Sequence, residues 1–196
     1  MRWWVWAAVL LAERALAGAI DPSGPGRFPV GVASADLVDG DRGRLIRTEI
    51  WYPARSAQRD APFARGRFPL VVFVHGNCGT RDNYEYLTMH LAAHGFVVAA
   101  PDIPGHFAGD CNPGPSGTPR VDDPWLDLSF VRAAFHHRDG PLAAFRRIVR
   151  GQRTGLGGHS FGGVWAQQAL LADRHFTAAV LLATFPAGGV SGLPRP

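Results

Sequence analysis

Three short, unbroken apolar runs limit what this chain can become: 68–74 (FPLVVFV), 96–100 (FVVAA) and 176–183 (FTAAVLLA). A strand solvated on one face alternates apolar and polar residues, so runs this short without alternation read as strands covered on both faces. Between them lie stretches with helical spacing. Within 81–94, Tyr84, Leu87 and Leu91 share a face, and Gly95 stands where a C-cap glycine belongs. Within 125–136, Leu128, Val131 and Phe135 align; 141–149 reads as a short helix, 154–157 as a brief strand and 161–172 as a further helix. Strand and helix alternate from residue 68 onward. That predicts an α/β domain with a mostly parallel, doubly wound sheet, helices on both faces and right-handed crossovers. Upstream, 44–52 alternates well enough for a strand stopped by Pro53, residues 21–44 read as a Pro-, Gly- and Asp-rich surface lead-in, and 54–67 as a loop.

Composition narrows the class. With 196 residues, 46% apolar and 18% charged, the chain can build one well-cored domain and has no signature of disorder. The net charge of +4 suggests a nucleic-acid partner at first. The chain has no lysine, however, and its arginines are scattered with no basic stripe interleaved with aromatics, so nucleic acid is not an expected partner. Met1-Arg2, the apolar run Trp3 to Ala12 and the small residues Ala15-Leu16-Ala17-Gly18-Ala19 read as a signal peptide over 1–19. Ten apolar residues are too few to span a bilayer core of about 30 Å. The expectation is a secreted or periplasmic protein whose domain occupies 20–196. Export would permit a disulfide between Cys78 and Cys111.

The chemistry is concentrated in Gly158-His159-Ser160-Phe161-Gly162. Gly-x-Ser-x-Gly carries little weight alone in a chain with 24 glycines. Here it falls between a short strand and an amphipathic helix, where a nucleophile elbow has to be. Such a turn strains the serine backbone and lifts its hydroxyl clear of the sheet, and side chains at 158 and 162 would collide across it. The following helix points its N-terminus at the serine, where amide N–H groups favour developing negative charge. The loop after strand 68–74, His75-Gly76-Asn77-Cys78-Gly79, is placed to supply a second donor. The expected oxyanion hole is therefore the amides of Asn77 and Phe161, with Ser160 as nucleophile.

Several stretches in order carry a family resemblance: Phe28-Pro29-Val30-Gly31, Glu49-Ile50-Trp51-Tyr52-Pro53, His75-Gly76-Asn77, His94 to Asp102 (HGFVVAAPD), Asp127-Leu128-Ser129-Phe130-Val131 and Gly158-His159-Ser160-Phe161-Gly162-Gly163. Together they resemble the platelet-activating-factor-acetylhydrolase-like and dienelactone-hydrolase-like branch of the α/β-hydrolases, with cutinase-like polyester hydrolases as neighbours. The resemblance implies a serine hydrolase that cleaves small-molecule or lipid-like carboxylic esters through an acyl-enzyme, without cofactor or metal.

Such an enzyme needs an acid and a histidine after the serine. After Ser160 the chain offers only Asp173 and His175, between a helix and the next strand, at the sheet end expected to lie opposite Ser160. The resemblance thus implies a hydrolase domain whose C-terminal strands are missing, with a catalytically incomplete remnant as the alternative. Without those strands, 176–183 would form an exposed apolar edge. His90 and His94, four apart on a helix, have a spacing that can bind zinc but lack the accompanying glutamate, so they read as helix-surface residues. His106 opens a long, proline-rich loop over 105–124 that reads as a wall of the site.

Overall fold

The apolar runs form the middle of a six-stranded sheet in a computed structural model that describes residues 21–111 and 123–186. The segment read as a signal peptide, residues 112–122 of the long loop and residues 187–196 lie outside these. The strands are β1 (Val30–Asp39), β2 (Arg44–Pro53), β3 (Phe68–Val74), β4 (Val97–Pro101), β5 (Val149–His159) and β6 (Phe176–Leu182). Their spatial order is β1-β2-β4-β3-β5-β6. The four strands from β4 to β6 are parallel, while β1 pairs antiparallel with β2 and β2 with β4.

Helix α1 (Glu85–Ala93) covers one face, where Trp51, Ala92 and Ala100 form a small cluster. Helices α2 (Pro124–Ala134) and α3 (Phe161–Ala172) contribute to the main core. There Leu128, Val131 and Phe135 are fully buried against the Leu70 and Val72 face of β3, with Trp165, Ala166 and Ala169 alongside. Burying an aliphatic or aromatic side chain of this size contributes about 1.5–3 kcal/mol.

Three elements differ from the sequence reading. Residues 30–39, expected within a surface lead-in, form a ten-residue strand in register with β2 from Val30↔Pro53 to Asp39↔Arg44. Gly31, Ala33, Ser34 and Asp36 hide it by their low strand propensity; pairing with β2 and burial of Ala35 and Leu37 decide the matter. The 141–149 helix is a 3-10 turn over Ala143–Arg147. Strand β5 begins at Val149 rather than Thr154: Phe68 pairs with Val149, the register then shifts, and Leu70 pairs with Thr154. Gly151, at φ 62, sits in that excursion.

Strand β6 is apolar in composition yet mostly exposed. Phe176 is buried, but Val180 is 64% exposed at the sheet edge. Among the described residues, no helix is long and apolar enough to cross a membrane.

Candidate active site

At the C-terminal ends of the parallel strands, β5 runs into α3 through Ser160, whose backbone is held at φ 52, ψ −123. Conformations of this kind cost a non-glycine residue about 1–3 kcal/mol and persist only where the surroundings enforce them. The enforcement is visible. The Ser160 N–H donates to the Leu182 carbonyl (2.9 Å), and the Ser160 carbonyl accepts from the Gly163 N–H (3.0 Å) and the Thr184 hydroxyl (2.7 Å).

The glycines permit the turn for reasons only partly visible in the sequence. A Cβ on Gly158 would lie 2.4 Å from the Gly162 carbonyl oxygen, a collision across the turn as expected. A Cβ on Gly162 would instead strike the end of β3, at 2.3 Å from the His75 carbonyl oxygen and 2.6 Å from that of Val74. Gly163 meets the Thr184 side chain at 2.5 Å. The elbow is therefore pressed against the end of β3 and against the segment after β6.

The loop after β3 lies beside the serine: a Cβ on Gly76 would be 3.2 Å from Ser160 Cβ. Among the described residues, no acceptor is paired with the amide N–H of Asn77 or of Phe161. Three features fix this loop. His75 is buried, its Nδ1 bonds the Gly76 carbonyl (2.6 Å), and its Nε2 accepts from the Ile103 N–H (3.2 Å). Those partners place the ring proton on Nδ1, and burial lowers the ring pKa, so His75 is a neutral strut. The Cys78 N–H donates to the His106 carbonyl (2.7 Å), and Cys78 and Cys111 form a disulfide with Cα atoms 5.2 Å apart.

The other histidines take structural places. His106, at the start of the loop read as a wall of the site, is fully buried against Trp165 (ring centroids 4.8 Å) with Nδ1 3.4 Å from Asn77 Oδ1. His90 and His94 stack at 4.2 Å and bond the carbonyls of Pro22 and Asp21. No cluster that could hold a metal ion occurs among the described residues. His159 faces Tyr84 (5.3 Å).

Asp173 and His175 are paired, Nδ1 to Oδ1 at 2.7 Å, with Arg132 Nε 3.4 Å from the other carboxylate oxygen. Burial opposes ionisation of Asp173, but the bonds from the His175 amide and ring and the positive charge of Arg132 help outweigh it and lower the pKa. This acid–histidine pair sits where Thr154 adjoins Phe176, whereas Ser160 follows His159, at the Leu182 end of the same two strands. At roughly 3.3 Å per residue the two ends are about 16 Å apart.

One residue of a stretch that carries the family resemblance has no role assigned from the sequence. Asp127, at the start of α2, is fully buried, bonded by Arg44 (2.8 and 2.5 Å) and ion-paired with Arg42 (2.8 Å), and Arg44 also reaches the Pro104 carbonyl. Burial raises the Asp127 pKa against the pull of both guanidiniums. The cluster ties α2 to the β1–β2 turn and to the segment after β4.

A strained serine between a strand and a helix, at the C-terminal ends of a mostly parallel sheet, defines an α/β-hydrolase scaffold. The chain belongs to the alpha/beta hydrolase family, whose model matches residues 71–196. It is 24% identical to Chlorophyllase-1 of Arabidopsis thaliana over 85% of this chain and 49% of that protein. It thus spans about half the length of that curated relative. Among solved structures, the ferulic acid esterase of Streptomyces cinnamoneus is similar at TM-score 0.64 and 24% identity, covering 79% of this chain and 59% of that one. A protein assigned as a dienelactone hydrolase from Klebsiella pneumoniae subsp. pneumoniae is similar at TM-score 0.56 and 18% identity, covering 76% and 58%. These structural likenesses speak to the fold.

Proposed function

We propose that this chain carries the nucleophile of a secreted or periplasmic serine hydrolase acting on carboxylic esters. The observation that carries the reading is the backbone of Ser160, held at φ 52 between β5 and α3. Ser160 Oγ attacks the ester carbonyl and gives up its proton to a base. The oxygen that becomes negative is met by the Asn77 and Phe161 amides and the N-terminus of α3. Collapse expels the alcohol and leaves an acyl-serine that water hydrolyses. The base and its orienting acid are assigned to sequence outside the described residues, since Asp173 and His175 stand at the other end of β5. The esterase name of the Streptomyces protein agrees with an ester substrate, and the Cys78–Cys111 bond agrees with an oxidising compartment.

A fluorophosphonate probe is expected to label Ser160 in the protein expressed from its complete coding sequence and to leave Ser160→Ala unlabelled. Labelling that survives this substitution overturns the reading. The position of the Asp173–His175 pair favours a second reading, a scaffold that retains the elbow without the chemistry. In that case the unsubstituted protein also remains unlabelled.

A further inference from the structure

The arginines, dispersed in sequence, are not dispersed in space. A pocket of about 510 Å³ opens at the N-terminal ends of β3 and β5, the pole of the sheet opposite Ser160. Arg67, Arg138, Arg146 and Arg147 line it, with His136 and Gln152, and no carboxylate is among its lining residues. They converge from four places: the residue before β3, the segment after α2, the 3-10 turn and the register shift at the start of β5. Among the described residues, none of the four guanidiniums has a carboxylate within ion-pair distance.

Some of these side chains are held in place. Arg67 is anchored by Nε and Nη2 to the Val149 carbonyl (3.2 and 2.9 Å), and Arg147 lies over the Phe63 ring (5.9 Å). Those contacts fix the side chains without neutralising them. His136 supplies an independent sign. Its Nδ1 is 3.3 Å from the Gln152 amide nitrogen, which puts the ring proton on Nε2, and that buried nitrogen has no partner among the described residues. Burial, then the positive charges of nearby arginines, Arg132 foremost, lower the His136 pKa. Four unneutralised guanidiniums around a cavity offer several planar donor forks, which suit an oxyanion that can accept from more than one at a time. The volume exceeds that of a bare tetrahedral ion, so there is room for an organic body attached to it.

We infer that this pocket is a binding site for a phosphate or sulfate group, carried on a small ester or on a lipid headgroup, remote from Ser160. The guanidinium groups that line it are reachable by solvent, so binding is expected to be weak and salt-sensitive. The test titrates inorganic phosphate into the full chain at low ionic strength, following the His136 ring resonances. Saturation accompanied by a rise in the His136 pKa is expected. Arg138→Ala combined with Arg146→Ala should weaken binding at least about tenfold, the loss of two charge-assisted contacts, and leave the melting curve in place because both side chains are exposed. Arg27→Ala, at an exposed arginine away from the pocket, should change nothing. Vesicles of phosphatidylglycerol, compared with phosphatidylcholine, separate the sources: vesicle binding that phosphate competes away indicates a headgroup, and phosphate binding without it indicates a soluble ester. A response no different from that to chloride, or equal loss in Arg27→Ala and the double variant, overturns the assignment.

Discussion

The two ends of the sheet hold similar residues and use them differently. At the C-terminal ends of the parallel strands, Ser160 is strained, with its glycines pressed against the end of β3 and against Thr184 beyond β6, and beyond the end of β4 the fully buried carboxylate of Asp127 is held by two arginines. At the opposite end, Asp173, His175 and Arg132 form a comparable acid–base–guanidinium group, but it is partly exposed and, among the described residues, no strained non-glycine residue adjoins it in the chain. A histidine hydrogen-bonded to an aspartate is therefore not a catalytic pair by virtue of the bond. What separates the two ends is location: strand ends that abut helix N-termini can stabilise a developing anion, while the opposite ends cannot do so in the same way.

The contrast can be broken most decisively at Ser160. In the complete protein, Ser160→Ala is expected to lower esterase turnover by about 10⁴–10⁶, the loss typical of a missing nucleophile. His175→Ala should leave turnover within about twofold. A large loss in His175→Ala, measured by hydrolysis of a chromogenic ester, would reverse the assignment of the two ends. Next comes Asp127→Ala, which strands two guanidiniums beside a cavity and should cost about 3 kcal/mol in denaturant unfolding. Asp173→Ala, at a partly exposed site, should cost less than about 1 kcal/mol. Gly158→Ala pushes a methyl group into backbone and should cost about 1–3 kcal/mol while abolishing probe labelling.

The smallest effect is in pH. Burial lowers the pKa of His75 at the Ser160 end and of His136 at the other. A histidine with a lowered folded-state pKa binds fewer protons than its unfolded counterpart, so its contribution holds above the unfolded value of about 6.5 and is lost as pH falls through the folded value. Thermal melts from pH 7.5 to 5.5 should show falling stability. His75→Gln should flatten the slope more than His136→Gln, because His75 is the more deeply buried of the two.

The centre of the sheet and the elbow were readable in advance because local pattern and tertiary role coincide there. Leu70, Val72, Val97 and Ala99 are apolar in sequence and buried in fact, and Gly158 is glycine for the reason the motif gives. Elsewhere the cause is a neighbour far along the chain. Strand β1 exists because β2 pairs with it, not because Gly31, Ser34 or Asp36 favour extension. Gly162 answers to the carbonyl of His75, and Thr184 holds the Ser160 carbonyl from the segment after β6; neither relation has a spacing rule. The basic pocket was hidden for the same reason, as positions 67, 138, 146 and 147 meet only once the strands are laid down.

The bond between Cys78 and Cys111 gives the molecule a chemical record of its own assembly. The two cysteines follow β3 and β4 and are 33 positions apart in the chain, so they come within reach when those strands lie side by side. Once formed, the bond closes a loop of 33 positions and keeps the segments after the central strand pair tethered even in an unfolded chain.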